Sequence, residues 1–564
     1  MKTYTVIAFA QNEPGVLYRI ANLFLRRKIT IDSLTVSETE THGISRFTIV
    51  VTSDKVTIEK IVKQLYRIIE MHKVFENEDS GLIFKELAFY KVSVKSPVQR
   101  EEIEKLAKTF RASISFVGAD YLIVEKSGTE DDISSLFSLL RSHGIREFVR
   151  SGRIAMVKEP AGRENVHAPV LRQPSHITTQ IEVSAIKRIQ IISDKTPGTI
   201  SLAQGKPSLP TPQHVRDTAK RAIDEGKSDA YTIGYGIPEL REVIAKKVTR
   251  DNGIPSTADN VIVTHGAIEA LMATFIALFD PDDEIVIITP DYASHITQFQ
   301  VATNGSRPIF VPLRFDESGR AWHLDTGRLE SAISPKTKAI LFTNPSNPTG
   351  HVFTEKELRA IADCAKRHNL FVITDEIYEY FVYDGKKHTS IGSFEDIRDR
   401  VVSVFGVSKS YCMTGWRIGY LVAHEKLARE IFKVHDNLVT CPAAVSQYAA
   451  LAAISGPKKP VEEFRREYGR LRNIVVKELS NARRIHFAFP EGAYYAFAKV
   501  DGVSDDIAYA LELIRHAHVA VVPGSAFGRG GEGFFRISFC YGEKQVREGL
   551  KRFINYVENH SPKV

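Results

Sequence analysis

The 564-residue chain is 43% hydrophobic and 25% charged, with a formal net charge of +7. Those proportions exclude collagen-like, disordered and disulfide-scaffold classes, and the length corresponds to about three or four domains. The basic excess is dispersed, with no run longer than Arg26-Arg27-Lys28, so a nucleic-acid surface is not expected. The longest uncharged apolar stretch, Leu271 to Phe279, is about half the length of a membrane span. MKTYTVIAFAQNEPG has no cleavage site behind an apolar core and does not read as a signal peptide. Cys364, Cys412, Cys441 and Cys540 are spaced for neither zinc nor a disulfide framework, which suits a reducing compartment. A soluble cytoplasmic protein is expected, with no metal, nucleic acid or membrane.

In chain order, TYTVIAFAQ alternates as a strand and Asn12 to Gly15 form a turn. GVLYRIANLFLRR then has helical spacing at Val16, Ile20, Leu23 and Phe24. ITIDSLTVS and SRFTIVVT read as strands around a hairpin at Thr41-His42-Gly43, VTIEKIVKQLYRIIE as an amphipathic helix, and HKVFENE as a last strand. The order β-α-β-β-α-β is the split βαβ, or ferredoxin-like, arrangement. It recurs through LAFYKVSV, a helix around Glu101 to Thr109, SISFVGA, DYLIVEKS, a helix from Asp131 to Ser142, and IREFVRSG. Residues 1–78 and 79–158 are therefore expected to form two small α/β domains. The turn Asn12-Glu13-Pro14-Gly15 leads directly into a helix whose free N–H groups could accept an amino-acid carboxylate. A tight structural turn explains it equally well. Residues 159–185, with three prolines and no sustained period, read as a linker.

The rest, 186–564, alternates helices with short apolar strands: NVIVTHG, EIVIITP, AILFTN, LFVITDE and VVSVFGVS. Such runs indicate a parallel sheet buried on both faces, whose ligands sit at the carboxyl ends of the strands. NVIVTHGAIEAL passes through Gly266, Ala267 and Ile268 into a helix, where free N–H groups and the helix dipole make a phosphate cradle. EIVIITPDYASH offers Tyr292 as an aromatic plate, and AILFTNPSNPTG sets Asn347 in a Pro/Gly-rich turn. LFVITDEIYEYF ends a strand on Asp375, an acid able to pair with a pyridinium nitrogen, with Tyr378 three residues on. SVFGVSKSYCMTGWRIGY carries Ser408, Lys409 and Arg417. A partly desolvated lysine there is a candidate Schiff-base nucleophile. Taken singly, Lys409 also reads as a solvated loop lysine, Asp375 as a helix cap and Tyr292 as a loop tyrosine.

Together these motifs resemble the fold-type I, class I aminotransferases that use pyridoxal 5′-phosphate, over about residues 186–560. The resemblance implies that Lys409 holds the cofactor and moves the Cα proton. It implies that Asp375 meets the ring nitrogen, Asn347 and Tyr378 the ring hydroxyl, and Tyr292 the ring face. Ala267, Ile268, Ser408 and Arg417 would hold the phosphate. Gly205, in SLAQGKPSLPTP, and Arg536, in FFRISFCYG, would lie at the substrate carboxylate, with Asn347 beside them. Tyr231, in AYTIGYGIPELRE, would reach the phosphate of a neighbouring subunit, making a homodimer. His265 departs from the small residues usual in its place and reads as a packing or specificity variation. The implied fold is a large α/β/α domain with a mostly parallel sheet, at about 230–480, plus a small α/β domain from both ends.

Residues 1–158 resemble the regulatory small subunit of acetolactate synthase, which has an amino-acid-binding ACT domain and a second ferredoxin-like domain. That resemblance rests on the Asn12-Glu13-Pro14-Gly15 turn, SLTVSETETHGISRFTIVV, LAFYKVSV and VRSGRIAM. It places a valine-like effector at Asn12, Gly15 and Val16, although KITIDSL has Thr30 where the family commonly has Asn. The expected whole is an aminotransferase acting between an L-amino acid and a 2-oxo acid, under amino-acid control, in branched-chain or aspartate-family biosynthesis. The alternative is a regulatory subunit of a separate acetolactate synthase catalytic subunit, carrying a tethered aminotransferase. A third reading is an inactive binding protein on the same fold.

Overall fold

The computed structural model describes residues 2–560 except Pro14, Lys28, His42, Arg67, Ile69, 159–174, His176, Thr179, Gln180, Glu182 and Gly319. The linker expected at 159–185 lies largely outside the described residues. The chain separates into two compact units, 1–172 and 173–564, and each is described by itself. Among the described residues, no helix is long and apolar enough to cross a membrane.

The first unit begins with β1 (Lys2–Gln11), α1 (Val16–Leu25), β2 (Ile31–Glu38), β3 (Ile44–Ser53), α2 (Lys55–Leu65) and β4 (Met71–Glu78). Its antiparallel sheet runs β2-β3-β1-β4. Alternation puts Val6 and Ala8 of β1 and Phe47 and Ile49 of β3 on one face. Ile20 and Phe24 of α1 and Ile58, Ile61 and Leu65 of α2 pack onto that face. Asp54 caps α2 by accepting from the Thr57 amide at 2.9 Å. The helical pattern of VTIEKIVKQLYRIIE runs on to Glu70, but α2 stops at Leu65. The Tyr66 hydroxyl is bonded to both backbone groups of Val74 at 3.1 Å, which turns the chain into β4.

The second domain comprises β5 (Leu82–Ser93), α3 (Pro97–Thr109), β6 (Ser113–Val117), β7 (Tyr121–Gly128), α4 (Glu130–Leu140), β8 (Ile145–Arg150) and β9 (Ile154–Val157). Its sheet runs β6-β7-β5-β8, with α4 opened by a capping box between Thr129 and Asp132. The four-residue β9 is too short for its alternation to register in the sequence. It pairs with the first residues of β5 and lays Ala155 against Ile7 and Leu82 in a small apolar cluster. Beside it Arg153 is almost fully buried, donates to Thr5 and Asp79, and lies 3.9 Å over the Phe84 ring.

In the second unit, β10 (Ile200–Ser201) belongs to the small domain. The large domain holds β11 (Val261–Thr264), β12 (Glu284–Thr289), β13 (Ile309–Pro312) and a side hairpin of β14 (Arg314–Asp316) and β15 (Ala321–His323). It continues with β16 (Thr337–Thr343), β17 (Phe371–Asp375), β18 (Val401–Gly406) and β19 (Gly419–Ala423). Seven of these form one sheet in the order β11-β19-β18-β17-β16-β12-β13. Neighbours pair in parallel except along β19, which is antiparallel to both β11 and β18. The central strands are buried but for one partly exposed residue each in β12, β16 and β17, as expected of a sheet covered on both faces. The small domain adds β20 (Ile485–Phe487), β21 (Tyr495–Val500), β22 (Val519–Ala520), β23 (Val522–Pro523) and β24 (Phe534–Ser538). Its sheet β20-β21-β24-β23 packs with the C-terminal helices.

Candidate active site

Five strands end around one cavity of about 390 Å³. After β11 the chain turns at Gly266, in a positive φ of 79°, into the helix Ala267–Leu278, whose first turn no side chain caps. A Cβ on Gly266 would lie 2.6 Å from Arg417 Nη2, and one on Gly419 would lie 2.5 Å from the Ala267 amide nitrogen. Glycine at both positions lets the helix start, β19 and Arg417 close around one point. β12 leads to Tyr292, β16 to Asn347, β17 ends on Asp375, and β18 leads to Ser408 and Lys409.

Lys409 Nζ donates to the Gly205 carbonyl at 2.9 Å. Burial lowers its amine to about 8; Arg536 and Arg417 push the same way, against Asp375. Gly205 is fixed from the other side, since a Cβ there would sit 1.8 Å from the Tyr495 hydroxyl. The Tyr378 and Tyr495 hydroxyls are 2.8 Å apart, and burial holds the Tyr378 phenol well above its ordinary range. Arg536, on β24, is buried, with the Tyr495 and Phe527 ring centroids 4.5 and 4.9 Å from its guanidinium. It donates to Asn347 Oδ1 at 2.9 Å and to the Ala203 carbonyl at 2.5 Å. Its Nε has no hydrogen-bond partner among the described residues.

Lys409, Asp375, Tyr378, Asn347, Tyr292 and Ser408 thus line the same cavity as Ala267, Ile268, Arg417, Gly205 and Arg536. Tyr231 does not line it and is 88% exposed. His265 is also outside; its backbone amide donates to Glu269, which is itself paired with the buried His435 at 3.0 Å. In the first unit, Asn12 is exposed and its amide donates to the Gly43 carbonyl. Gly15 takes φ 93° at the start of α1. Val16 is buried in the core, so its side chain is turned away from any ligand in that turn.

Sequence reasoning missed a layer behind Asp375. Asp375 Oδ2 faces His295 Nε2 at 3.4 Å, His295 Nδ1 lies 2.6 Å from Asp291 Oδ2, and Thr343 Oγ1 donates to Asp291 Oδ1 at 2.5 Å. All four are buried. Burial alone would lower the His295 imidazole, but Asp291 and Asp375 outweigh it and raise it to about 10. The signal was present in PDYASH, whose Asp and His stand four apart at a strand end. Also missed were Tyr495 and the first turn of the helix Ala185–Lys195, which brings Ser184, Ile186 and Lys187 into the cavity wall.

Residues 197–553 match the family described as aminotransferase class I and II. Residues 7–73 match the AHAS small subunit-like ACT domain, and 85–159 the small subunit of acetolactate synthase. The aromatic-amino-acid aminotransferase 2 of Thermococcus litoralis is 36% identical over 377 residues, 66% of this chain and 95% of that protein. The aspartate aminotransferase of Pyrococcus abyssi is 37% identical over 376 residues, with the same coverage of 66% and 95%. Among solved structures, Thermus thermophilus aspartate aminotransferase with maleate is 31% identical with a TM-score of 0.63. The match covers 68% of this chain and all of that one. Class I and II aminotransferases typically depend on pyridoxal phosphate. The chain belongs to the class I and II aminotransferases and carries, ahead of its catalytic unit, an ACT region of the acetolactate synthase small-subunit type.

Proposed function

We propose that this aminotransferase works with pyridoxal 5′-phosphate held in the 390 Å³ cavity, and that Lys409 is its catalytic residue. What carries the reading is the convergence there of a depressed amine, a buried carboxylate and a guanidinium beside an uncapped helix start. The donors fit the cofactor. Arg417, Ser408 and the amides of Ala267 and Ile268 suit a phosphate dianion, Asp375 a pyridinium nitrogen, and Asn347 with Tyr378 a phenolic oxygen. When bound, the cofactor supplies an electron-withdrawing ring that stabilises negative charge developing at the substrate Cα. Lys409 anchors it and, as an amine already near neutrality, takes up the Cα proton and returns it. Arg536, stacked between rings with Nε unused, orients the substrate through its α-carboxylate, a planar match for a guanidinium. Lys409→Ala is expected to lower amino transfer by about 10⁴-fold, read as loss of absorbance change in each half-reaction. Retention of more than about a tenth of the activity would overturn the assignment.

Support for a substrate comes from the names of the relatives, aspartate and aromatic aminotransferases. The ACT region points instead to branched-chain metabolism. We assign the catalytic unit to acidic and aromatic amino acids, with a valine-like effector bound at the turn of Asn12 and Gly15. Half-reactions with each of the common amino acids test the first part. Titration of valine, leucine and isoleucine against activity and oligomeric state tests the second, and no change at millimolar concentration would end it. Tyr231 and Ile233, 88% and 58% exposed, are assigned to contact with a second copy of the chain in a homodimer.

A further inference from the structure

Two buried carboxylates face one imidazole from opposite sides, and the geometry limits how that imidazole can be protonated. A neutral ring carries one N–H. If it sits on Nδ1, towards Asp291 at 2.6 Å, the Nε2 lone pair faces Asp375 at 3.4 Å. If it sits on Nε2, the Nδ1 lone pair faces Asp291 at hydrogen-bond distance. Either neutral form sets a lone pair against a carboxylate in a site with no measurable exposure of the ring, where such repulsion is little screened. With both carboxylates ionised, only a doubly protonated ring satisfies both sides. Its edge lies against Tyr292, ring centroids 5.3 Å apart, and among the described residues its ion-pair partners are Asp291 and Asp375. Asp291 is itself anchored, accepting from Thr343 Oγ1 and donating its amide to the Phe527 carbonyl at 2.9 Å.

We propose that Asp291 is a positioning residue for amino transfer: it holds His295 as an imidazolium, and that cation keeps Asp375 ionised and aimed into the cavity. The proposal rests on Asp375 being the partner of the cofactor ring nitrogen. Its effect runs through His295, so Asp291 itself touches neither cofactor nor substrate. The two carboxylates and one imidazolium leave a single negative charge, which a protonated ring nitrogen would balance. Without Asp291 the imidazole would release a proton, and Asp375 would lose the cation beside it.

The test uses the full-length chain with ¹⁵N-labelled histidine, in the presence and absence of pyridoxal phosphate, with His295→Asn to assign the resonance. At about pH 8, above the ordinary histidine range, both His295 nitrogens should be protonated in the wild type. One should be unprotonated in Asp291→Asn. The half-reaction rate of Asp291→Asn should fall roughly ten- to a hundredfold, the usual cost of losing a supporting shell, with little change in KM. A neutral wild-type His295, or a cationic one in Asp291→Asn, would overturn the proposal. The resonance needs no turnover, so this result stands apart from the fate of the cofactor reading. Where Asp291→Asn fails to fold, the pair Asp291→Asn/His295→Asn is compared with His295→Asn alone. Equal rates are expected if Asp291 acts only through His295, and a further full loss refutes it.

Discussion

The two units each contain a strand followed, after a short turn, by a glycine of positive φ that starts a helix: Gly15 at 93° and Gly266 at 79°. Locally they are the same device, with no side-chain cap on the first turn of either helix. Their surroundings differ. A Cβ on Gly15 would meet nothing within 4 Å, whereas one on Gly266 would strike Arg417. Around the second turn, side chains from five strand ends converge; around the first, Asn12 is exposed and Val16 is turned into the core. A helix start supplies a polarity, and at Gly266 distant parts of the chain add charged side chains to it.

The largest way to test that contrast is at the convergent side. Arg536→Lys keeps the charge but removes the planar fork, and KM for the amino-acid substrate should rise roughly ten- to a hundredfold. An unchanged KM would mean that charge alone is read. Next, Gly266→Ala combines backbone strain with a clash against Arg417 and should weaken pyridoxal phosphate binding by about tenfold, or 1.4 kcal/mol. Equilibrium titration followed by absorbance gives that number, and wild-type affinity would show that the turn is as permissive as Gly15. Lys409 sharpens the comparison through pH. Its amine, lowered to about 8 by burial, is charged below that pH and neutral above it. The rate of cofactor capture should therefore rise with pH and level off above about 8. A profile still rising at pH 10 or so, the ordinary lysine range, would contradict the burial. Smallest is Gly15→Ala, which should cost the first unit about 1 kcal/mol from backbone strain alone and leave cofactor affinity untouched. Chemical unfolding monitored on the first unit's signal reads it.

Much of this was legible in the sequence. Apolar runs revealed the buried parallel sheet, and the residues that follow them, Lys409, Asp375, Asn347 and Tyr292, stand at the strand ends because a covered sheet leaves no other place for polar side chains. What escaped was packing that no period encodes. The β19 strand runs against its neighbours because a short connection, not a crossover helix, joins it to β18. β9 is four residues long and borrows its partner from the start of β5. Asp291 and His295 show in the sequence only as an Asp and a His four apart, and their meaning depends on a third residue, Asp375, about eighty positions away. Tyr231 was legible only as part of a motif, and it stands exposed, outside the cavity lining.

The helix Ala185–Lys195 has a consequence for how the two regions were joined. Its first turn supplies Ser184, Ile186 and Lys187 to the cavity wall, and it follows closely on the division between the units at residue 172. The catalytic unit therefore offers no neutral stub at which another module can be attached or removed. Lengthening, shortening or recombining the chain just ahead of Ser184 edits the lining of the cavity as well as the connection. A chimaera that exchanges the ACT region for another module should be designed with its seam well upstream of that turn, or its altered kinetics will be mistaken for altered regulation.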